Sequence, residues 1–317
     1  MSRAFDKMHH SSLMNTLTKG DLPKGFLIWC SDFLQRRYQR VKVGDTVSSL
    51  REVTSGVPQG SKLAPYLFAC HMGSLQPFHN NSRIFKYADD VIIVKPFAPS
   101  ANINCEIIKE IENMKNWCDS NGLILNSNKT KLLIFNKRRL KTPLSLPLSP
   151  STELKILGVL FQDNLLWDNH INYICKAASQ RIYLLKQMKK FENITHQDLV
   201  QVYCSYIRSI LEFNCPLFVG MNKKNKRKLE LVHNRCHRII CGNDCRCEAL
   251  GNLETRRESI AMKTFLNMLD PKHLIHFITP NFLPSSKRLN VPFSATQRRL
   301  SSFVPHCTLL YNQFFKV

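Results

Sequence analysis

Two adjacent carboxylates, Asp89 and Asp90, stand between two short apolar runs, Ile84-Phe85 and Val91-Ile92-Ile93-Val94. Runs of this length and composition favour strands, and the small polar interruption between them favours a reversal. The expected element is a hairpin with strands at 83–87 and 91–94 and with Ala88-Asp89-Asp90 at its tip. Like charges side by side repel, so such a tip makes chemical sense when a cation sits against it. Carboxylate oxygens suit Mg²⁺, and two such ions can serve phosphoryl transfer. Taken alone, the pair also fits a solvated acidic turn.

The charge of the whole chain narrows the chemistry. Lys and Arg number 45 against 23 Asp and Glu, a formal net charge of +22 over 317 residues. That balance points to a polyanionic partner, nucleic acid first, through release of counterions from phosphates. Hydrophobic residues make up 44%, enough for a buried core. The 12 cysteines follow no framework spacing and no secretory signal opens the chain, so reduced thiols and a nuclear or cytoplasmic location are expected. No apolar stretch approaches the roughly 20 residues of a membrane span, which excludes a membrane role of that kind.

Apolar spacing and turn residues predict the order of elements. Helices are expected at 11–19, at 24–35 as a buried helix, at 63–78 and at 102–121, the last ended by Gly122. A strand at 37–43 turns at Gly44-Asp45, with Val53 opening the return, and further strands lie at 131–135 and 154–161. Beyond Asp168, a plausible N-cap, the pattern becomes helical: 168–190, a helix from a Thr195/Asp198 capping box through Ile210, and 225–241. The segment beyond Asp270 carries five prolines and is expected to be partly irregular. The coarse class is α+β.

Several motifs in order make the chain resemble a reverse transcriptase of the non-LTR (LINE-like) retrotransposon type. Ala4-Phe5-Asp6 resembles the end of the first catalytic motif and Gly56-Val57-Pro58-Gln59-Gly60-Ser61 the second. Tyr87-Ala88-Asp89-Asp90 resembles the third and Leu125-Asn126-Ser127-Asn128-Lys129-Thr130-Lys131 the fourth. Ile156-Leu157-Gly158-Val159 and residues 181–251 resemble the segments that follow. The resemblance implies a right-hand polymerase palm, an antiparallel sheet with helices and partial fingers, over 1–165. An α-helical thumb-like region over 166–257 and a tail over 258–317 would follow.

It further implies an RNA-directed DNA polymerase, a nucleotidyltransferase that takes an RNA template, a DNA primer and deoxynucleoside triphosphates. Two Mg²⁺ ions, or Mn²⁺ in their place, would be held by Asp89 and Asp90 as catalytic and metal-binding residues. Lys129 would donate a proton to the departing pyrophosphate or neutralise it. Phe5 would pack under the nucleotide sugar, and Gln59, Gly60, Ser61 and Tyr87 would line the nucleotide and template pocket. Plain alternatives stand beside these roles: a core phenylalanine, a glycine-proline turn, a solvated lysine. The basic runs Arg36-Arg37, Arg40 and Lys42, then Lys137 to Lys141, then Lys223 to Lys228 are candidate phosphate contacts or simply solvated faces.

The family's first motif carries an essential aspartate five residues before the position of Phe5, which would precede Met1. Asp6 does not replace it, because six residues of strand span roughly 20 Å. A local hydrogen-bonding role is expected for Asp6, and impaired polymerisation for these 317 residues. A non-catalytic nucleic-acid-binding remnant and a host-adopted interaction protein are the alternatives. The cluster His233, Cys236, His237, Cys241, Cys245 and Cys247 matches no standard zinc spacing, and core packing is the favoured reading.

Overall fold

The computed structural model describes residues 4–98, 102–135, 146–242, 250–284 and 286–313. The chain divides into two compact units, Met1–Ser151 and Thr152–Val317. Their architecture is mixed: helices with small sheets, each sheet only two strands wide among the described residues.

The first unit begins with α1 (Ala4–Lys7), α2 (His10–Thr18) and α3 (Lys24–Leu34). Four short strands follow: β1 (Tyr38–Gln39), β2 (Lys42–Val43), β3 (Thr46–Val47) and β4 (Arg51–Glu52). β2 pairs with β3 and β1 with β4, both antiparallel. The reversal falls at Gly44, whose φ of +58° suits a glycine at the first loop position, while Val53 lies just past the returning strand. Then come α4 (Ala64–Gly73), β5 (Arg83–Tyr87), β6 (Asp90–Val94), α5 (Ile103–Ser120) and the parallel pair β7 (Leu132–Leu133) with β8 (Pro150–Ser151).

Met8, Leu13, Leu17, Cys30, Leu34, Leu67, Phe68, Met72, Met114 and Cys118 build one core from α2, α3, α4 and α5. Each large side chain buried in it contributes roughly 1.5–3 kcal/mol before entropy is counted. The helix expected to be buried at 24–35 is buried on one face only: Ile28 is 70% exposed and Trp29 52%. It is apolar nearly all round, yet only its Cys30/Leu34 side meets the core. The helix expected at 63–78 stops at Gly73, and Ser74 closes it by donating to the His71 carbonyl.

The second unit opens with the hairpin β9 (Glu153–Ile156) and β10 (Val159–Gln162). A single strand was expected over 154–161. Leu157 and Gly158 instead take φ of +46° and +88°, the two left-handed positions of a tight hairpin loop. The unit continues with α6 (Asp168–Met188), α7 (His196–Val202), a π-helical stretch (Tyr203–Arg208), α8 (Ser209–Glu212), α9 (Lys223–Cys241), α10 (Leu253–Met268), α11 (Gln297–Leu300) and α12 (Phe303–Gln313).

The Thr195/Asp198 capping box forms, and Asp168 is the first helical residue rather than the cap. The helix expected through Ile210 widens to π geometry at 203–208. The two units part at 151/152, and β10 packs on α6, with Phe161 against Trp167. Residue 258 lies inside α10, and α12 packs on that helix through Phe265, Phe303 and Tyr311, so part of the expected tail is helical core.

Each unit buries one histidine completely. His71 and His170 are both held down to about 4, first by burial and then by a nearby basic group, His9 and Lys155 respectively. Both ring nitrogens of His71 and Nε2 of His170 lack a hydrogen-bond partner. A depressed histidine binds its proton more tightly when unfolded. Its contribution is therefore complete above the ordinary value of 6.5 and is lost as pH falls towards 4. Urea midpoints are expected to drop between pH 6.5 and 5, and less so in a His71→Phe/His170→Phe variant; equal slopes would contradict this.

Candidate active site

The candidate site rests on two pieces of the first unit, each fixed by identifiable contacts. In the first piece the loop at 55–61 is clasped to residues 5–10. The Val57 amide donates to the Phe5 carbonyl at 2.8 Å and the Gly56 amide to the Met8 carbonyl at 2.8 Å. Ser55 Oγ donates to the Asp6 carbonyl, and His10 Nε2 lies 2.7 Å from the Gly56 carbonyl oxygen. Gly56 is buried with φ +78°, and a Cβ there would lie 2.6 Å from the Phe5 oxygen. Only glycine permits that approach.

The clasp sets the side chains around it. Phe5 stacks on Phe68 with ring centroids 4.1 Å apart and is half-buried. Gln59 Nε2 donates to Asp6 Oδ1 at 2.7 Å, which gives Asp6 a partner other than a metal. Gly60 has φ +84° and open space beside it. The Ser61 hydroxyl donates to the Pro58 carbonyl and accepts from the Ala64 amide at the start of α4.

The second piece is the β5/β6 hairpin. Tyr87 pairs with Asp90, so Asp90 belongs to the strand and only Ala88 and Asp89 form the loop. The three-residue tip expected from sequence is thus one residue shorter, because Asp90 takes the ladder position opposite Tyr87. Ala88 adopts φ +50°, a left-handed conformation that costs an alanine roughly 1 kcal/mol. Ile84, Val91 and Ile93 pack on the core, while Phe85 and Tyr87 face outward and Tyr87 is 66% exposed. Asp89 is half-buried and Asp90 exposed.

Lys86 locks this hairpin to α4. Its ammonium donates to the Met72 carbonyl at 2.6 Å and the Leu75 carbonyl at 2.7 Å, where the helix ends, and burial lowers its pKa. Sequence reading missed it. Its signal was parity: Lys86 shares the inward face with Ile84, where a charge demands partners.

Lys129 is exposed, with its amide bonded to Asn126. Among the described residues no three His, Cys, Asp or Glu side chains come together as a metal-binding group, so Asp6 does not join Asp89 and Asp90 in one. In the second unit the Tyr203 hydroxyl lies 2.6 Å from His233 Nδ1, and Cys236 is buried in the core. Cys245 and Cys247 lie outside the described residues, as do Lys137, Arg138, Arg139 and Lys141. Within the basic run of α9, Lys226 is paired with Glu254 and Lys228 bonds Asn172.

A family model described as reverse transcriptase (RNA-dependent DNA polymerase) matches residues 1–161. The chain belongs to that family, in its non-LTR, LINE-like branch. It is 24% identical over 290 residues to the "Probable RNA-directed DNA polymerase from transposon BS" of Drosophila melanogaster, covering 83% of this chain and 31% of that protein. It is 22% identical over 281 residues to the "Probable RNA-directed DNA polymerase from transposon X-element" of the same fly, covering 85% and 30%. With the "RNA-directed DNA polymerase from mobile element jockey", also from that fly, it shares 22% over 255 residues, covering 76% and 28%. The chain thus spans about three tenths of the length of these relatives.

Gly56→Ala is expected to destabilise the first unit by roughly 2–4 kcal/mol, from overpacking against backbone plus left-handed strain. Denaturant titration checks it, and a loss under about 0.5 kcal/mol, the range of neutral surface changes, would contradict the clasp.

Proposed function

We propose that this chain is the polymerase part of an RNA-directed DNA polymerase, extending a DNA primer on an RNA template with deoxynucleoside triphosphates. The carrying observation is the Tyr87/Asp90 pairing, which sets two carboxylates at the tip of a core-anchored hairpin. On this reading residues 1–165 act as palm with partial fingers, 166–257 as a thumb-like region and 258–317 as the C-terminal tail.

The donor set fits Mg²⁺, or Mn²⁺. Both carboxylates offer hard oxygens, and neither is sealed from solvent, so triphosphate oxygens can complete the shells. Two ions held by Asp89 and Asp90 would supply charge neutralisation at the reacting phosphate and activation of the primer hydroxyl. The residues do the rest. The Ala88–Asp89 loop holds the carboxylates fixed, and Lys86 holds the loop to α4. Phe5, braced by Phe68, bounds the sugar edge of the nucleotide. Gln59, its amide turned by Asp6, lines the nucleotide and template pocket with Gly60, Ser61 and Tyr87. Lys129 places an exposed ammonium for the leaving pyrophosphate.

One observation favours a second reading, a nucleic-acid binder without catalysis: among the described residues no third acidic side chain joins Asp89 and Asp90. Primer extension on an RNA template separates the two. The first reading predicts weak, Mg²⁺-dependent incorporation, in keeping with the impairment expected from sequence, that is lost in Asp89→Asn. Salt-sensitive primer-template binding with no incorporation, in wild type and variant alike, would establish the second and overturn the first.

A further inference from the structure

Every residue from Tyr38 to Glu52 is exposed, including Val41 at 66%, Val43 at 73% and Leu50 at 62%. These residues carry the β1/β4 and β2/β3 pairs, one narrow ribbon in which Ser48, Ser49 and Leu50 stand opposite Arg40 and Val41 and bulge it. A two-stranded ribbon with neither face covered is marginal in water. A partner is therefore needed to cover its apolar positions.

The charges say what kind. Arg36, Arg37, Arg40, Lys42 and Arg51 face only Asp45 and Glu52 within the segment, a balance of 5 − 2 = +3 over residues 35–52. Among the described residues none of these five cations has a carboxylate within ion-pair distance, whereas Lys95, Arg208, Lys226, Arg256 and Arg257 all do. Charges alone would protect an open strand edge from aggregation, but protection does not explain four bared aliphatic side chains beside them, Val41, Val43, Val47 and Leu50. A polyanion with apolar surface recessed between its charges satisfies both. The B-form major groove, about 12 Å wide, admits a two-stranded ribbon, while the A-form groove of RNA is too narrow for side chains to read.

We propose that the ribbon at 38–52 docks in the major groove of duplex DNA. Val41 and Val43 lie against apolar base edges on the face that also carries Arg51, and the long side chains of Arg40 and Lys42, on the opposite face, reach around the ribbon to the flanking phosphates. This is a DNA-docking element separate from the hairpin carboxylates, and it stands whether or not the chain polymerises.

The test is fluorescence anisotropy of the 317-residue chain on a 20-base-pair DNA duplex over a range of salt. A variant carrying Arg40→Ser, Lys42→Ser and Arg51→Ser is expected to lose about 2.7 units of log–log salt slope, near 0.9 per phosphate, and roughly tenfold or more in affinity. The same loss of charge at Lys263, Lys272 and Lys287, exposed cations of the other unit, should leave the slope unchanged. Arg40→Gln alone, which keeps the ribbon short of only one cation, should remove about one unit. An unchanged slope in both ribbon variants would overturn the proposal, as would an equal drop in the control or equal affinity for an A-form RNA duplex of the same sequence.

Discussion

The contact on which the first unit depends is the seating of Gly56 against the backbone of Phe5 and Asp6. Two backbone hydrogen bonds, one side-chain bond and the His10 contact surround it, joining segments some fifty residues apart in sequence. Because the loop cannot shift, the residues on it cannot either. Phe5 is pressed onto Phe68, Gln59 is turned by Asp6, and Ser61 starts α4. α4 in turn carries the carbonyls that receive Lys86, so one close approach of backbones propagates to the hairpin that bears Asp89 and Asp90.

That chain of contacts explains how a two-residue loop can hold adjacent carboxylates with a left-handed alanine. The hairpin buries Ile84, Val91 and Ile93, and Lys86 trades its hydration for carbonyl dipoles at a helix end, where positive charge is favoured. The local cost at Ala88 is roughly 1 kcal/mol, small against the burial that over-determines the turn. Strain held in this way concentrates at sites where a side chain must be aimed, which agrees with the reverse transcriptase family to which the chain belongs.

Much of this is legible in the sequence, for physical reasons that differ by element. The β5/β6 hairpin, the Gly44 turn, the Thr195 capping box and α5 with its stop before Gly122 are set by local chemistry, and local chemistry is written in the sequence. What was not legible depended on partners distant in the chain. α3 is apolar on nearly every side, so its composition indicated burial, and only tertiary packing decides that Ile28 and Trp29 stay exposed. The Leu157-Gly158 reversal was overlooked because apolar residues flank it on both sides and the glycine alone marks it. At the candidate site, the Asp6–Gln59 bond spans 53 positions, and the three carbonyls around Lys86 come from a helix terminus that no periodicity locates to the residue.

Asp89 and Asp90 serve the proposed chemistry only where divalent metal settles at the hairpin tip. Fe²⁺ in place of Mg²⁺, with ascorbate and peroxide, cuts a polypeptide beside the bound ion and so maps it directly. Fragments ending around Tyr87 to Val91 are expected, suppressed by excess Mg²⁺ and absent in Asp89→Asn. Cleavage elsewhere in the chain, or cleavage at the hairpin that persists in Asp89→Asn, would contradict the central claim.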